Sequence, residues 1–325
     1  MNTRLSRLAL AFTALLAAES HAQEWPSRPV RVTVPALPSS GPDLTARVLA
    51  EHIGKSPGSP LVIVNKAGGL GIPALIELNR ATPDGNSLLI GNINTNGLAP
   101  ALHTKKYGFD VKSGIQPVTL LSDGPSALIA SRTVPATFRE SLDLWKANPG
   151  KYAYFGAGIG AFGHVWFLKL LQQRGLNMLY VPVRGATEGL QLLYDGSAHY
   201  AYVPASALIS QMREGRVRTI FVTGASRLPE FPDVPTHREV GLTDDYEINA
   251  WVGLFAPPNL RADVLKTVHA TFTTAVNSAG IGERYRKLSM VQKVSASPAE
   301  FKRFVDSRID DYRQVAEQAK LKIEE

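Results

Sequence analysis

The sequence has no cysteine among its 325 residues. Disulfide bonds, thiolate nucleophiles and cysteine-based metal sites are therefore excluded. The G-x-S-x-G and H-E-x-x-H motifs of serine hydrolases and zinc proteases are also absent. No histidine beyond residue 22 has a second histidine or a carboxylate at a convincing ligand spacing, so the sequence predicts no metal site.

Long apolar runs are scarce, and the clearest one lies at the N-terminus. Two arginines precede an apolar run over residues 8–18, which is too short to cross a bilayer as a helix. Small residues follow at Ser20 and Ala22, as at a signal-peptide cleavage site. We therefore predict that residues 1–22 are a cleaved signal peptide and that the mature chain is periplasmic. The alternative is a frayed N-terminal helix.

Acidic residues are fewer than basic ones, which gives a formal net charge of +7. The basic residues are dispersed and form no stripe interleaved with aromatic side chains, so nucleic acid is not an expected partner. A basic surface raises the local concentration of anions. The charge pattern therefore favours a small anionic ligand.

The composition, 44% apolar and 19% charged, is that of a globular chain of about two domains. Short β-rich runs alternate with amphipathic helical segments, which predicts α/β layers with mainly parallel sheets. Two β-rich segments, residues 118–131 and 247–257, have the character of crossings between domains. We predict one lobe from residues 23–124 and 248–325, a second lobe from residues 125–247, and a hinge that lets them close on a ligand.

Two strand-to-helix junctions are the candidate binding loops. The first loop covers residues 35–43, "PALPSSGPD", and the second loop covers residues 156–164, "GAGIGAFGH". Each opens a helix, whose N-terminus presents unpaired N–H groups and the positive end of its dipole. Glycine lets a ligand approach such a backbone closely. Two such loops that face each other would form a clamp for carboxylate or phosphate groups.

The second loop also contains a G-x-G-x-x-G string, formed by Gly158, Gly160 and Gly163. In dinucleotide-binding domains, an acidic residue follows this string by about 20 positions. No acidic residue occurs between Gly163 and Glu188, although Arg184 could accept a 2′-phosphate. No obvious catalytic acid or base stands near the loop. An exported NADP-dependent oxidoreductase is therefore the alternative to a binding protein without a cofactor.

Eight phrases of the sequence carry a family resemblance in a consistent order. The opening "WPSRPVRVTVPALPSSGPD" is similar to "YPSKPIRLIVPFPPGGGTD", and "NPGKYAYFGAGIGAFGH" is similar to "PGKLNYGSAGNGSSSH". The others are "VIVNKAGGLG", "ATPDGNSLLIGN", "APALHTKKYGFD", "VPVRGATEGLQLLYDG", "LPEFPDVPTHREVGL" and "WVGLFAPPNL". Over essentially all of its mature length, the chain resembles the periplasmic solute receptors of tripartite tricarboxylate transporters, the TctC-like or Bug family.

This resemblance implies a type II periplasmic-binding-protein fold, in which two α/β lobes close around a ligand like a venus flytrap. It implies a non-enzymatic receptor without a cofactor, which delivers a small organic carboxylate to the membrane permease subunits of a tripartite tricarboxylate transporter. We expect a monomer, in which the two loops hold a ligand carboxylate through backbone groups and bridging waters. Uptake and sensing are both compatible with this role.

Three departures from the family pattern bear on the ligand. Ser39 and Ser40 replace two glycines of the first loop, and Ala161-Phe162-Gly163 replace a run of serines in the second loop. Val203 stands where the family usually has an aspartate, which would pair with a ligand ammonium group. We therefore expect a carboxylate without an ammonium group, whose apolar or aromatic body contacts Phe162 and Val203. The alternative is that Phe162 packs between helices.

Four candidate residues have two predicted roles each. Asn94 and Thr95 either line the floor of the cleft or form a turn. His164 bonds either a ligand or a loop carbonyl, and Arg184 either neutralises a second carboxylate or is a surface charge. The full set of predicted ligand-binding residues is Leu37, Pro38, Ser39, Ser40, Gly41, Asp43, Asn94, Thr95, Gly158, Gly160, Ala161, Phe162, His164, Arg184 and Val203.

Overall fold

The computed structural model describes residues 25–54, 60–183, 186–288, 290–318 and 320–321. The predicted signal peptide and Arg184 lie outside these residues. The strands of the described chain are β1 (Val30–Val34), β2 (Leu61–Asn65), β3 (Ser87–Asn92), β4 (Gln116–Gly124), β5 (Ser126–Ala130), β6 (Ala153–Gly156), β7 (Leu179–Pro182), β8 (Tyr200–Pro204), β9 (Arg218–Val222) and β10 (Ala250–Ala256).

The strands form two five-stranded sheets, in the orders β2-β1-β3-β10-β4 and β7-β6-β8-β5-β9. Strands β1, β2 and β3 are parallel, and so are β6, β7 and β8. Strand β10 is antiparallel to both of its neighbours, and so is β5. In each sheet four of the five strands therefore run in the same direction, as predicted for mainly parallel sheets, and one strand runs against them. A strand that arrives from the other sheet needs no crossover helix, so it can insert in the opposite direction.

The chain passes directly from one sheet to the other at Pro125, which separates β4 from β5. It returns through residues 223–249 to β10. Both passages fall in or beside the segments that the sequence singled out as crossings. We retain the division into residues 23–124 with 248–325 and residues 125–247 as a proposal.

Helices pack against both sheets. A π-helix, Ile93–Leu98, follows β3 directly. The α-helices of the described residues are α1 (Gly41–Ile53), α2 (Ile72–Arg80), α3 (Ala99–Leu102), α4 (Val111–Gly114), α5 (Phe138–Ala147), α6 (Phe162–Arg174), α7 (Ala186–Asp195), α8 (Ile209–Arg213), α9 (Ala262–Val276), α10 (Ala279–Lys287) and α11 (Pro298–Gln318).

The first sheet has the composition of a sheet covered on both faces. In β1, Val30, Val32 and Val34 are fully buried, and only Arg31 is exposed. Near-continuous apolar strands of this kind occur where helices cover both sides of parallel strands. The apolar face of α1 is buried in the same core, as the helical spacing predicts.

Helix α6 differs from a surface helix because apolar residues occupy most of its circumference. Its buried residues run from Phe162 to Leu171, and it packs against both β8 and the C-terminal helix α11. The Gln172 side chain donates to the Gln318 carbonyl at 2.6 Å. A helix that is apolar all round is expected where neighbours cover both sides. Helix α6 therefore places the second loop at the junction of the lobes.

Candidate functional site

A cavity of about 200 Å³ lies between the two sheets. The carboxyl ends of β3, β6, β7 and β8, the start of β10 and the first turns of α1 and α6 surround it. Ligands of open α/β sheets bind at this end of the parallel strands. The described lining residues are Gly41, Pro42, Asn92, Ile93, Asn94, Gly124, Phe155, Gly156, Ala157, Ala161, Phe162, Gly163, Val183, Tyr202, Val203, Pro204, Ser206, Ala207, Leu208, Ala250, Trp251, Val252 and Met290.

The described lining contains no charged side chain, and most of it is apolar or aromatic. Phe162 is only 5% exposed, and its ring centroid lies 5.0 Å from that of Tyr202. Tyr202 stacks in turn on Trp166 at 4.4 Å, and its hydroxyl donates to the Ile248 carbonyl at 2.9 Å. We call Phe162, Tyr202 and Trp166 the aromatic wall. The two predicted roles of Phe162 therefore coexist, since its side chain lines the cavity and packs in the core.

Asn94 and Thr95 have different surroundings although they are adjacent. Both lie in the π-helix, where successive side chains point in different directions. Asn94 lines the cavity, whereas Thr95 is buried against Gly71. Asn92 caps this helix, because its Oδ1 accepts the N–H groups of Asn94 at 3.0 Å and Thr95 at 3.1 Å. Asn92 also lines the cavity, and an asparagine that ends a strand is a helix-cap signal that could have identified it.

The first loop uses most of its polar groups internally. Ser39 donates its N–H to Asp43 Oδ2 at 2.8 Å, and the Ser40 hydroxyl donates to the Leu37 carbonyl at 2.6 Å. The Ser39 N–H and the Ser40 hydroxyl, two of the donors that the sequence predicted for a ligand, are therefore engaged within the loop. Gly41 lines the cavity, as predicted. The other predicted members of this loop are not among the described lining residues: Leu37, Pro38, Ser39, Ser40 and Asp43.

Asp43 anchors the first loop instead of facing a ligand. Its side chain is 2% exposed and also accepts from Asn65 Nδ2 at 2.8 Å and from Arg47 Nε at 2.9 Å. Burial by itself would raise the pKa of the Asp43 carboxyl, but these hydrogen bonds outweigh it and hold the pKa below its usual range. The Asp43 carboxylate therefore fixes the start of α1, and the predicted ligand contact is not supported.

The second loop also satisfies its own backbone. The Gly158 N–H donates to the Gly156 carbonyl at 2.8 Å, and the Ala161 N–H donates to the Gly158 carbonyl at 3.1 Å. The Gly160 N–H donates to His164 Nδ1 at 2.9 Å. Gly158 and Gly160 have φ angles of 107° and 76°, which L side chains rarely adopt. The glycines thus shape the loop, and three of the N–H groups that could cradle a pyrophosphate are engaged within it.

His164 belongs to the framework of the second loop. Its ring stacks on that of Tyr180, with centroids 3.9 Å apart, and the Tyr180 hydroxyl donates to the Gly156 carbonyl at 3.2 Å. Burial lowers the pKa of His164 to about 4, so the ring is neutral and Nδ1 can accept a hydrogen bond. His164 is not among the described lining residues. The structure favours the predicted role within the loop over a ligand contact. The partner of His164 is, however, the Gly160 N–H group and not a loop carbonyl.

Two contacts join the lobes beside the cavity. The Phe162 N–H, at the start of α6, donates to Asn94 Oδ1 of the first lobe at 3.0 Å. A Cβ atom on Gly160 would lie 2.5 Å from Leu102 Cδ1 of α3, so a larger residue at this contact would displace the Leu102 side chain. An asparagine oxygen therefore occupies a helix N-terminus at which a ligand carboxylate was expected.

The cavity brings together five of the predicted residues, namely Gly41, Asn94, Ala161, Phe162 and Val203. The predicted residues Gly158, Gly160, Thr95 and His164 support it from behind, and Arg184 lies outside the described residues. The sequence missed the aromatic lining residues Phe155, Tyr202 and Trp251. These side chains stand in strands, where nothing local separates a cavity wall from a core.

The chain matches the model of the tripartite tricarboxylate transporter family receptor over residues 45–321, and it therefore belongs to this family. A UPF0065 protein of Bordetella pertussis is 29% identical over 307 residues, which cover 94% of each chain. The structure of the periplasmic binding protein BugD is 27% identical, has a TM-score of 0.79, and covers 92% of this chain and 99% of BugD. MatC from Rhodopseudomonas palustris, solved with bound malate, is 27% identical, has a TM-score of 0.78, and covers 90% of this chain and 99% of MatC.

These comparisons confirm the predicted family and the two-lobed α/β fold. The receptors of this family are periplasmic solute-binding proteins and not enzymes. The alternative of an NADP-dependent oxidoreductase is therefore wrong, and the internal use of the second loop's N–H groups gives the physical reason. Among the described residues, no helix combines the length and the hydrophobicity needed to cross a bilayer.

Proposed function

We propose that this receptor binds a small organic carboxylate with an apolar or aromatic body and no ammonium group. We also propose that it delivers this solute, as a monomer without a cofactor, to the permease subunits of a tripartite tricarboxylate-type transporter. The observation that carries the proposal is the cavity lining, which is largely apolar and has no charged side chain among its described members. Family membership and the malate bound by MatC support the carboxylate and the transport role.

The carboxylate would lie at the first turns of α1 and α6. Gly41 and Ala161 line the cavity at these turns, where the first N–H groups of a helix have no intrahelical acceptor. The positive ends of both helix dipoles favour an anion there. Pro42 has no N–H group, and the Phe162 N–H is engaged by Asn94, so the next N–H group of α6, that of the lining residue Gly163, would be the donor from this helix. Bridging waters and the amide of Asn94 would complete the site.

The body of the ligand would contact Phe162 and Val203. Both side chains line the cavity, and the aromatic wall holds the Phe162 ring in place. The ammonium group of an amino acid would lose its water here and meet no described acidic side chain, at a cost of several kcal/mol. Apolar atoms of the ligand gain about 25 cal/mol for each Å² that they bury. Both effects favour an apolar carboxylate over an amino acid.

A ligand panel tests this function. The mature protein, residues 23–325, is titrated with benzoate, hexanoate, malate, glutamate and NADPH, while its melting temperature is followed. A ligand at about 100 times its dissociation constant adds about 2.7 kcal/mol of stability, which raises the melting temperature by a few degrees. We expect the largest shift with benzoate or hexanoate. A shift with glutamate alone would contradict the proposed ligand class, and a shift with NADPH alone would contradict the binding mode.

A gain of function at Val203 gives a sharper test. The Val203→Asp variant places a carboxylate in the cavity, so we expect it to bind glutamate and to lose at least about tenfold in affinity for benzoate. The matched control is Val181→Asp, since Val181 is also a half-buried strand valine but is not among the described lining residues. Equal ligand profiles for the two variants would contradict the placement of the ligand. Arg184→Gln tests the remaining prediction, because it should weaken only ligands with a second carboxylate.

A further inference from the structure

A second cluster of polar side chains lies on the return segment between β9 and β10, away from the cavity. His237 is tied to β9, since its N–H donates to the Val222 carbonyl at 2.8 Å. Asp244 begins a short 3₁₀ turn, Asp244–Tyr246, and Glu247 follows that turn. The segment folds back on itself, so the side chains of Asp244 and Glu247 converge with that of His237, although they follow it by seven and ten positions.

His237 is fully buried, and neither of its ring nitrogens has a hydrogen-bond partner among the described residues. Nearly all buried polar side chains in proteins have a partner, so such an exception needs a physical reason. His237 Nε2 lies 3.9 Å from Asp244 Oδ1 and 3.9 Å from Glu247 Oε2. These distances are too long for hydrogen bonds, and they leave room for an atom that all three groups share.

The three groups offer one nitrogen and two oxygens within 4.8 Å of one another. Zinc binds imidazole nitrogen and carboxylate oxygen at about 2.1 Å, which separates the ligand atoms of a tetrahedral site by about 3.4 Å. Each observed 3.9 Å distance would therefore need to shorten by only about 0.5 Å. Imidazole together with carboxylates suits a divalent transition metal better than magnesium or calcium, which prefer oxygen ligands only.

Arg238 now neutralises the two carboxylates. Its Nε donates to Asp244 Oδ1 at 2.6 Å, and its Nη2 donates to Glu247 Oε2 at 3.5 Å. The other oxygen of Glu247 accepts from Asn249 Nδ2 at 3.2 Å, which orients the carboxylate from behind. A cation bound by these oxygens would therefore compete with the Arg238 guanidinium.

We propose that His237, Asp244 and Glu247 bind a divalent transition-metal cation, for which zinc is the probe. Water would complete the coordination at the exposed side of Asp244. Asn249 connects this site to the lobe junction, because its Oδ1 accepts from Thr223 Oγ1 at 2.7 Å. A bound cation would thus brace the return segment where the chain leaves the second sheet for β10.

Isothermal titration of zinc into the chelator-treated mature protein tests this site, with cobalt absorption spectra as the second readout. We expect one ion per chain and a cobalt spectrum typical of bound nitrogen and oxygen ligands. Asp244→Asn should weaken zinc at least tenfold, and it should fold normally because the Asp244 side chain is 70% exposed. Glu247→Gln should have a similar effect while keeping the acceptor for Asn249.

Two further variants distinguish this site from adventitious binding at a surface histidine. Arg238→Gln removes the competing cation, so zinc affinity should rise severalfold. His52→Gln, on α1 of the other lobe, should leave the affinity unchanged. The proposal is overturned by an absence of zinc binding, by equal affinities of the parent and Asp244→Asn, or by a loss of binding in His52→Gln.

Discussion

The neutral His164 ring makes the second loop sensitive to acid. Replacing His164 by Asn isolates this effect, because Oδ1 of an asparagine can take the place of Nδ1 as acceptor of the Gly160 N–H but does not titrate. The variant loses the stacking on Tyr180, so we expect it to be less stable than the parent at neutral pH. Its stability should, however, depend less on pH.

The magnitude follows from the pKa of His164, which burial lowers from 6.5 to about 4. Between these two values the unfolded chain carries a proton that the folded chain does not bind, so the stability of the folded state falls as the pH falls. Relative to neutral pH, the loss is about 2 kcal/mol at pH 5 and about 3 kcal/mol at pH 4. Protonation of Nδ1 would also remove the acceptor of the Gly160 N–H, so ligand affinity should decrease over the same range.

Urea unfolding of the parent and of His164→Asn, at several values between about pH 7.5 and pH 4.5, measures this effect. Three other histidines also have a pKa lowered by burial, but both proteins share them, so they cancel in the difference: His103, His199 and His237. The stability advantage of the parent should shrink by about 2 kcal/mol between neutral pH and pH 5. Parallel pH profiles would refute the assignment of a buried, neutral His164.

Three other substitutions probe the cavity. Phe162→Ala should weaken an aromatic carboxylate by about tenfold and destabilise the fold by about 3–5 kcal/mol. The control Phe272→Ala, in the core of the other lobe, should cost similar stability without changing affinity, and equal affinities of both variants would contradict the contact. Asn94→Asp keeps the acceptor of the Phe162 N–H but adds a negative charge, which repels a carboxylate about 6 Å away by about 3 kcal/mol. The ligand affinity measured by calorimetry should therefore fall at least tenfold. Gly163→Ala places a Cβ atom 2.5 Å from a carbonyl oxygen of β8, so urea unfolding should show a loss of about 1–3 kcal/mol in the free energy of unfolding. The control Gly280→Ala, at a glycine with open space around it, should be neutral or stabilising.

Local patterns were sufficient to predict most of the fold. The sequence of residues 72–80 predicts a helix that coincides with α2, because Pro73 stands near its start and apolar residues recur at helical spacing. Helix α5 was missed although its signal is local, since Thr137 and Glu140 follow the T-x-x-E pattern of a capping box. The Thr137 hydroxyl accepts the Glu140 N–H at 3.3 Å and donates to the Glu140 carboxylate at 2.7 Å. The antiparallel insertion of β5 and β10 was not predictable in this way, since strand direction depends on which sheet a strand joins.

The candidate site was predictable only in part, for a similar reason. Both loops were located correctly, because a strand that ends in glycine or proline before a helix is a local signal. Which of their N–H groups remain available is not a local property. The acceptor of the Phe162 N–H, Asn94, lies 68 residues away in the chain. The convergence of His237 with Asp244 and Glu247 likewise depends on how the return segment folds, because the only regular element there is the short 3₁₀ turn Asp244–Tyr246, and no helix covers the three residues.

The combination of apolar walls with two helix N-termini determines how this receptor can select its ligand. Each N-terminus contributes about 0.3–1 kcal/mol to holding an anion, and somewhat more when partly buried, so a carboxylate alone distinguishes few metabolites. Discrimination between carboxylates must therefore come from the ligand groups that the rest of the cavity disfavours. A second carboxylate would be buried against walls whose described members carry no charge, with Arg184 as the only predicted partner, and an unpaired buried charge costs several kcal/mol. An ammonium group would meet the same penalty beside Val203. Selection by exclusion of additional charges therefore requires no specific hydrogen bond to the body of the ligand, and it predicts tolerance among apolar carboxylates of similar size.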